Sequence, residues 1–181
     1  MFATDDTIVA LATPPGRGAL GIVRVSGARA LDIARAISPA RRPLEPRRAT
    51  LIRIHTQGPA GAADRVVATY FQAPHSYTGE DVVELSAHGS PVVLRAIVRA
   101  AVDAGARLAR PGEFTLRAFL AGQIDLVQAE AVRDLIAAAT PLQARVAFDQ
   151  LDGTLTRRIA ALDAVLFDLI ARLEASLDFP D

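Results

Sequence analysis

The chain has 181 residues, of which 51% are hydrophobic and 22% charged, a composition typical of a globular protein and not of a disordered one. Cys is absent and all 20 basic residues are Arg, which excludes disulfides, thiolate nucleophiles and Schiff-base lysines. The formal net charge is +0, so there is no overall field that would attract nucleic acid or an anionic membrane.

The N-terminal residues and the hydropathy pattern bear on localisation. The chain opens with MFATDDTIVA, which carries acids where a signal or transit peptide carries basic residues. No segment approaches the ~20 consecutive apolar residues that a membrane-spanning helix needs. We therefore expect a cytoplasmic protein with no membrane partner.

The first part of the chain predicts mixed α/β structure, because short β-branched runs alternate with turn signals. The predicted strands cover residues 8–13, 19–26, 50–55, 65–71, 81–87 and 106–109. Amphipathic patterns predict helices at 27–38 and 91–104, the second with Pro91 at its first position. The Pro- and Arg-rich segment 39–48 predicts an exposed loop.

After Pro111-Gly112 the pattern predicts helices only, at 113–121, at 126–139 and from Pro141 onward. Apolar residues recur every three or four positions from Leu142 to Leu177, with Gly153 as a weak point. A continuous helix of that length would measure ~55 Å, at ~1.5 Å per residue, more than a domain of ~110 residues can cover. The exposed apolar stripe therefore predicts a partner surface. A homodimer, a helical hairpin or the remainder of a longer protein would each provide one.

Two charged residues lie in strands that are otherwise apolar, Arg24 and Glu84. Burying a lone guanidinium costs several kcal/mol unless it is paired. One interpretation is that the two side chains pair with each other or reach solvent at the strand ends. The other is that they bracket a polar ligand inside an apolar pocket. The residues alone favour the first interpretation, since structural ion pairs show the same pattern.

The remaining polar residues assign neither a catalytic residue nor a metal site. The histidines lie in different predicted elements and lack the spacing of metal ligands; they are His55, His75 and His88. Ser86 shares a strand face with the last of these, but no acid in the pattern is placed to orient the imidazole. Glu80 and Asp81 are expected in a solvated turn.

Several stretches, in order over nearly the whole chain, carry one family pattern. They are Asp6–Ala10, Ala12–Gly18, Gly21–Gly27, Tyr77–Leu85, His88-Gly89, Ala109–Phe114, Arg117–Leu120, Asp125-Leu126, Gln128–Ala131 and Asp178–Pro180. Together they resemble the MnmE (TrmE) family of bacterial tRNA modification GTPases, with a specificity that no single motif would have.

The resemblance implies an α+β fold in two parts. Residues 1–121 would form an α/β domain similar to the tetrahydrofolate-binding domains of aminomethyltransferases, which binds 5-formyltetrahydrofolate or a related tetrahydrofolate and forms a homodimer. Residues 122–181 would be the first helices of a helical domain. In this family an inserted GTPase domain uses potassium and magnesium. With the flavoprotein MnmG, the family modifies C5 of the tRNA wobble uridine, using a one-carbon unit from the folate.

The resemblance also implies which residues contact the folate, namely Arg24, Glu84 and Gln123. The family often has Lys at the third position, so an amide here replaces a cation. The sequence contains no Gly-Lys-Ser/Thr element, and we expect the chain neither to hydrolyse GTP nor to complete the tRNA reaction alone. The alternatives are a stand-alone folate-dependent one-carbon transferase and a structural dimerisation module without ligand.

Overall fold

A computed structural model describes residues 5–38, 43–55 and 64–178 of the chain. Part of the predicted loop 39–48 and the end of the last family motif therefore lie outside the described residues. The chain divides into two compact units, Met1–Gln123 and Ile124–Asp181. The first unit combines a sheet with helices and the second contains helices, which confirms the predicted α+β class.

The first unit is built on a six-stranded sheet in the described residues. Its strands are β1 (Ile8–Leu11), β2 (Leu20–Ser26), β3 (Thr50–Ile54), β4 (Asp64–Phe71), β5 (Val82–His88) and β6 (Arg107–Leu108). The spatial order is β3-β4-β5-β2-β1-β6, with β1 and β6 parallel and the other neighbours antiparallel. The strand β2, which carries Arg24, thus pairs directly with β5, which carries Glu84.

Alternation along the strands gives the sheet two different faces, because successive side chains point to opposite sides. One face of the sheet forms the hydrophobic core together with two helices, α1 (Ala30–Ile37) and α2 (Pro91–Asp103). The core residues of β2, β5, α1 and α2 include Val23, Val25, Val83, Leu85, Ile33, Leu94 and Ile97. The opposite side of β2, β3, β4 and β5 is partly exposed, and we call it the open face.

Gly21 shows how closely α2 approaches the sheet. A Cβ atom at this position would lie 2.4 Å from Cδ1 of Leu94, a distance that real Cβ contacts do not reach. The glycine therefore lets the Leu94 side chain seat directly against the β2 backbone. This packing covers the face of the sheet that α2 contacts. The polar side chains of the strands lie on the open face.

A short helix, α3 (Glu113–Leu120), completes the first unit. It begins after Gly112 and ends before Gly122, and both glycines have left-handed φ angles of 75° and 67°. Only glycine adopts such angles without steric cost, so the two positions limit the helix to about two turns. The helix places Phe114, Glu113 and Arg117 for the contacts described below.

The second unit contains three helices in the described residues, α4 (Leu126–Ala137), α5 (Pro141–Leu151) and α6 (Thr154–Asp178). Capping boxes start the first two: Asp125 pairs with Gln128, and Thr140 pairs with Gln143. Within the described residues, no helix combines the length and the apolar composition that a membrane span requires.

The continuous helix from Pro141 to Leu177 is not formed. The chain breaks between α5 and α6 at Asp152-Gly153, where Gly153 has a φ of 80°. The apolar period continues through the break, which is why the pattern alone does not reveal it. Thr156 Oγ1 donates to Asp125 Oδ2 at 2.5 Å, so the start of α6 is tied to the start of α4.

Candidate functional site

The register of β2 and β5 places Arg24 directly opposite Glu84 on the open face. Arg24 Nε donates to Glu84 Oε1 at 2.9 Å, and Nη2 lies 2.7 Å from the same oxygen. About a quarter of each side chain is exposed, 26% and 25%. The two side chains thus form the direct pair that the residues alone favoured, and ligand binding by this pair stays a prediction.

Two aromatic rings lie against the Arg24 guanidinium. Its central carbon is 5.4 Å from the centroid of Tyr77 and 5.6 Å from that of Phe114, within the range of cation–π attraction. The Tyr77 hydroxyl and the Thr115 hydroxyl share a hydrogen bond of 3.0 Å, which joins the turn before β5 to α3. The guanidinium is therefore oriented by one carboxylate and two rings.

Glu84 keeps acceptor capacity after pairing. Both contacts from Arg24 go to Oε1, and within the described residues no hydrogen bond reaches Oε2. A carboxylate oxygen accepts N–H donors, and the adjacent guanidinium retains donors for a carbonyl or carboxylate. The pair suits a ligand that presents N–H groups close to a carbonyl oxygen.

Gln123 lies beside the turn that leads into β5. Its backbone N–H donates to Ala118 O at 2.9 Å, and its side chain is exposed. A Cβ atom on Gly79, which has a φ of 76°, would come within 3.1 Å of Gln123 Nε2. The amide therefore rests against the turn that carries Tyr77, and in the described residues no hydrogen bond joins it to Arg24 or Glu84.

Two of the hollows in the described residues are informative because both lie away from Arg24 and Glu84. One of about 510 Å³ is lined by residues of α4 and α5, including Leu142 and Gln150. Another of about 220 Å³ lies between α1 and α2, beside His55. Neither is lined by Arg24 or Glu84, which lie on the open face.

A cluster of opposite charges fixes α3 to the sheet. We call it the charged cluster; its members are Asp6, Glu80, Arg107, Glu113 and Arg117. Arg117 is 3% exposed, and its Nη2 lies 2.5 Å from Asp6 Oδ1 while Nη1 lies 3.0 Å from Glu80 Oε1. Arg107 Nη2 lies 2.5 Å from Glu113 Oε1. Because Glu113 and Arg117 flank Phe114 on α3, the cluster positions the ring that contacts Arg24.

The charged cluster favours the ionised forms of Asp6 and Glu113. The hydrogen bond from Arg107 lowers the pKa of Glu113, although burial acts in the opposite direction. The bond from Arg107 likewise lowers the pKa of Asp6; burial opposes this shift and the bond from Arg117 adds to it. Each buried charge in the cluster thus has an oppositely charged neighbour, the condition under which buried charges are tolerated.

Glu80 and Asp81 lie in the turn before β5, as expected, but both are only partly exposed and their side chains accept hydrogen bonds from within the first unit. Ser26 Oγ donates to Glu80 Oε2 at 2.6 Å. Asp81 Oδ1 accepts from the Tyr70 hydroxyl and from the Ala73 backbone, each at 2.9 Å. Burial, followed by the bond to Asp81, raises the pKa of Tyr70 to about 12. Both acids therefore hold the turn before β5 in place.

An acid does orient His88, contrary to the sequence-based expectation. Asp64 Oδ1 lies 2.8 Å from His88 Nδ1, although the histidine side chain is 74% exposed. In the described part of the chain no hydrogen bond joins Ser86 to His88, so a nucleophile and base are not assembled. The described residues also contain no cluster of three or more potential metal-ligating acids and histidines.

The architecture defines a class of two-part protein, in which a mixed α/β unit with a charged pair on a partly exposed sheet face is followed by a helical unit. A family model described as GTP-binding protein TrmE N-terminus matches residues 7–123. A second, described as MnmE helical domain, matches residues 126–181. The chain belongs to the MnmE (TrmE) family and comprises regions of its N-terminal and helical domains.

Curated relatives agree with the family models. The tRNA modification GTPase MnmE of Koribacter versatilis (strain Ellin345) is 51% identical over 180 residues, covering 98% of this chain and 40% of the relative. The MnmE of Legionella pneumophila (strain Paris) is 49% identical over 176 residues, covering 97% and 39%. That of Nitrosomonas europaea is 49% identical over 180 residues, covering 99% and 39%. The chain spans about 40% of the length of these relatives.

Proposed function

We propose that the first unit binds a reduced folate, such as 5-formyltetrahydrofolate, at Arg24 and Glu84, with Gln123 at the margin of the site. The supporting observation is the geometry of the pair. A guanidinium held against Tyr77 and Phe114 shares only one oxygen of a partly exposed carboxylate. The other oxygen accepts no hydrogen bond within the described residues, which leaves it available to a ligand.

The chemistry of a tetrahydrofolate fits these groups. Its pterin ring presents neighbouring N–H donors, which Glu84 can accept with charge assistance. Arg24 can donate its remaining N–H groups to a carbonyl or carboxylate of the ligand. Gln123 can hydrogen-bond the ligand but adds no charge. When bound, the folate would supply a one-carbon unit, while the residues of this chain bind and orient it.

In the whole protein we propose that this unit forms a homodimer and carries the folate for tRNA modification. The named relatives are tRNA modification GTPases. The proposed partner is an MnmG-like flavoprotein, and the proposed target is C5 of the wobble uridine, in the cytoplasm. We assign GTP hydrolysis, with potassium and magnesium, to a GTPase domain whose Gly-Lys-Ser/Thr element this sequence does not contain.

Calorimetric titration of 5-formyltetrahydrofolate into the wild type and Glu84→Gln tests the proposal. A hydrogen bond to a charged group contributes about 2–3 kcal/mol, so the variant is expected to bind about 30- to 150-fold more weakly. Arg99→Gln is the control, because its ion pair with Asp103 is an exposed i,i+4 contact on α2. Thermal unfolding of each variant verifies that the fold is retained.

The outcomes separate the candidate functions. Equal affinity of wild type and Glu84→Gln would remove Glu84 from the site. No binding by the wild type up to millimolar ligand, together with a dimer in sedimentation, would favour the structural dimerisation module. Binding that is lost in Glu84→Gln and retained in Arg99→Gln supports the folate site.

A further inference from the structure

We infer that Arg53 and Arg65, on the same open face, bind the γ-glutamyl carboxylates of a folate that carries a polyglutamate tail. The inference rests on the proposed function, because it concerns the far end of the same ligand. It assigns a second, anionic subsite to strands β3 and β4, which the Arg24–Glu84 pair does not use.

The two arginines are brought together by strand register. Arg53 lies directly opposite Arg65 in the antiparallel β3–β4 pair, and both side chains are exposed. Directly opposite residues have Cβ atoms about 4.5–5.5 Å apart, a separation at which like charges destabilise the sheet. An anion between the two guanidinium groups would relieve this repulsion.

No acid in the described residues performs that role. Neither Arg53 nor Arg65 forms an ion pair with an acidic side chain in the described part of the chain. Asp64, which precedes Arg65 in sequence, bonds to the ring and the backbone N–H of His88. It also accepts from the backbone N–H of Arg65. Both guanidinium groups are therefore available to an external carboxylate.

The sheet sets the distance between the two subsites. Thr69 lies opposite Glu84, and Arg65 precedes Thr69 by four residues on the same face of β4. At ~3.3 Å per residue and ~4.8 Å between strands, Arg65 is ~14 Å from Glu84 and Arg53 is ~16 Å from it. Pterin, aminobenzoyl and glutamate groups are joined in line in a folate, so a folate whose pterin lies at Glu84 is long enough for its tail to reach the two arginines.

The surface between the subsites suits the middle of such a ligand. Val67 lies between Arg65 and Thr69 on the same face and is 39% exposed, and its neighbour across the strands, Leu51, is 66% exposed. These side chains offer apolar contact to an aminobenzoyl ring. The planar fork of each arginine then matches a carboxylate, and successive γ-glutamyl units supply carboxylates in series.

The experiment compares 5-formyltetrahydrofolate carrying one glutamate with the same compound carrying five, titrated into wild type and two double variants. Arg53→Gln/Arg65→Gln removes the proposed subsite. Arg95→Gln/Arg99→Gln removes the same charge from α2, which packs on the covered face of the sheet, and is the matched control.

We expect the wild type and the control to bind the pentaglutamate at least 10-fold more tightly than the monoglutamate. The Arg53→Gln/Arg65→Gln variant should lose this preference, and its affinity for the monoglutamate should fall by a smaller factor than its affinity for the pentaglutamate. Added salt should reduce the preference in the wild type, because the contacts are between exposed charges.

Different failures identify different errors. Equal affinity of the wild type for both compounds, or a preference retained by Arg53→Gln/Arg65→Gln, overturns the subsite and leaves the folate site standing. Failure of the wild type to bind either compound overturns the folate site and the subsite together. If the variant loses affinity for tRNA but keeps its pentaglutamate preference, the arginines contact phosphates and the inference is wrong.

Discussion

Glu113 is 2% exposed and accepts hydrogen bonds from two arginines and a backbone N–H. Its pKa and that of Asp6 are lowered, chiefly by Arg107, so the folded chain favours the ionised acids more than the unfolded chain does. Such a contribution to stability is complete above the ordinary pKa values of 4.5 and 3.8 and is lost as pH falls through the lower folded values.

We therefore expect the free energy of unfolding to decline below about pH 4.5. Glu113→Gln should destabilise the protein by about 1.5–3 kcal/mol at pH 7, because Arg107 and Arg117 lose a charged acceptor. The difference from wild type should shrink by pH 3. Urea unfolding across this pH range measures it, with the exposed Asp103→Asn as control. A difference between wild type and Glu113→Gln that is independent of pH would contradict the role given to the charged cluster.

The residues of the candidate site differ in how far the sequence predicts them. Arg24 and Glu84 stand out because each is a lone charge in an apolar strand. Their pairing depends on β2 and β5 being neighbours, although the two residues are 60 positions apart. Phe114 and Arg117 lie in an ordinary amphipathic pattern, and the partners of Arg117 are 37 and 111 positions away. Local periodicity contains no information about contacts of that range.

At the scale of elements, the strands and the helices α1 to α4 agree with the sequence prediction to within a few residues, because alternation and helical periodicity are local signals. The break between α5 and α6 is the exception. The left-handed conformation of Gly153 ends α5, but the apolar spacing keeps its phase through the turn, so periodicity favours one helix and only the glycine argues for two.

Gly153→Ala tests what holds this turn. The nearest atoms to a Cβ at this position are 3.5 Å away, an ordinary contact, so the cost comes from the left-handed backbone and amounts to about 1–2 kcal/mol. Gly153→Asn should cost less, since Asn tolerates this conformation. Urea unfolding gives both values, and far-UV circular dichroism shows whether the alanine variant gains helix. Equal stability of the three proteins would show that the turn is not held in this conformation.

At the scale of the whole molecule, the two family models match residues 7–123 and 126–181, which correspond to the two compact units. Composition and periodicity predict mixed α/β structure followed by helices but say nothing of folate or tRNA. Those expectations enter through the ordered family motifs. The structure adds what the motifs do not contain: the pairing of Arg24 with Glu84, the charged cluster and the opposed arginines of β3 and β4.

The apolar stripe of α6 has consequences for the state of the chain in solution. None of its 25 residues is buried. Its exposed large apolar side chains are Leu155, Ile159, Leu162, Val165, Leu166, Phe167, Leu169, Ile170, Leu173 and Leu177. Exposed apolar patches of this extent are typical of interaction surfaces. We expect the chain to self-associate through α6, in addition to any dimer formed by the first unit.

Leu166→Glu/Leu173→Glu should shift sedimentation velocity profiles toward smaller species and lower the fluorescence of a bound hydrophobic dye. Glu is a good helix former, so the change removes apolar surface while α6 can persist. Asp168→Asn/Arg172→Gln, which breaks an exposed i,i+4 pair on the same helix, is the control and should sediment as the wild type. If the double leucine variant and the wild type form the same assembly, association depends on the first unit alone. A wild-type monomer of 19.1 kDa would contradict both the association through α6 and the dimer of the first unit, because each of these contacts requires a second chain.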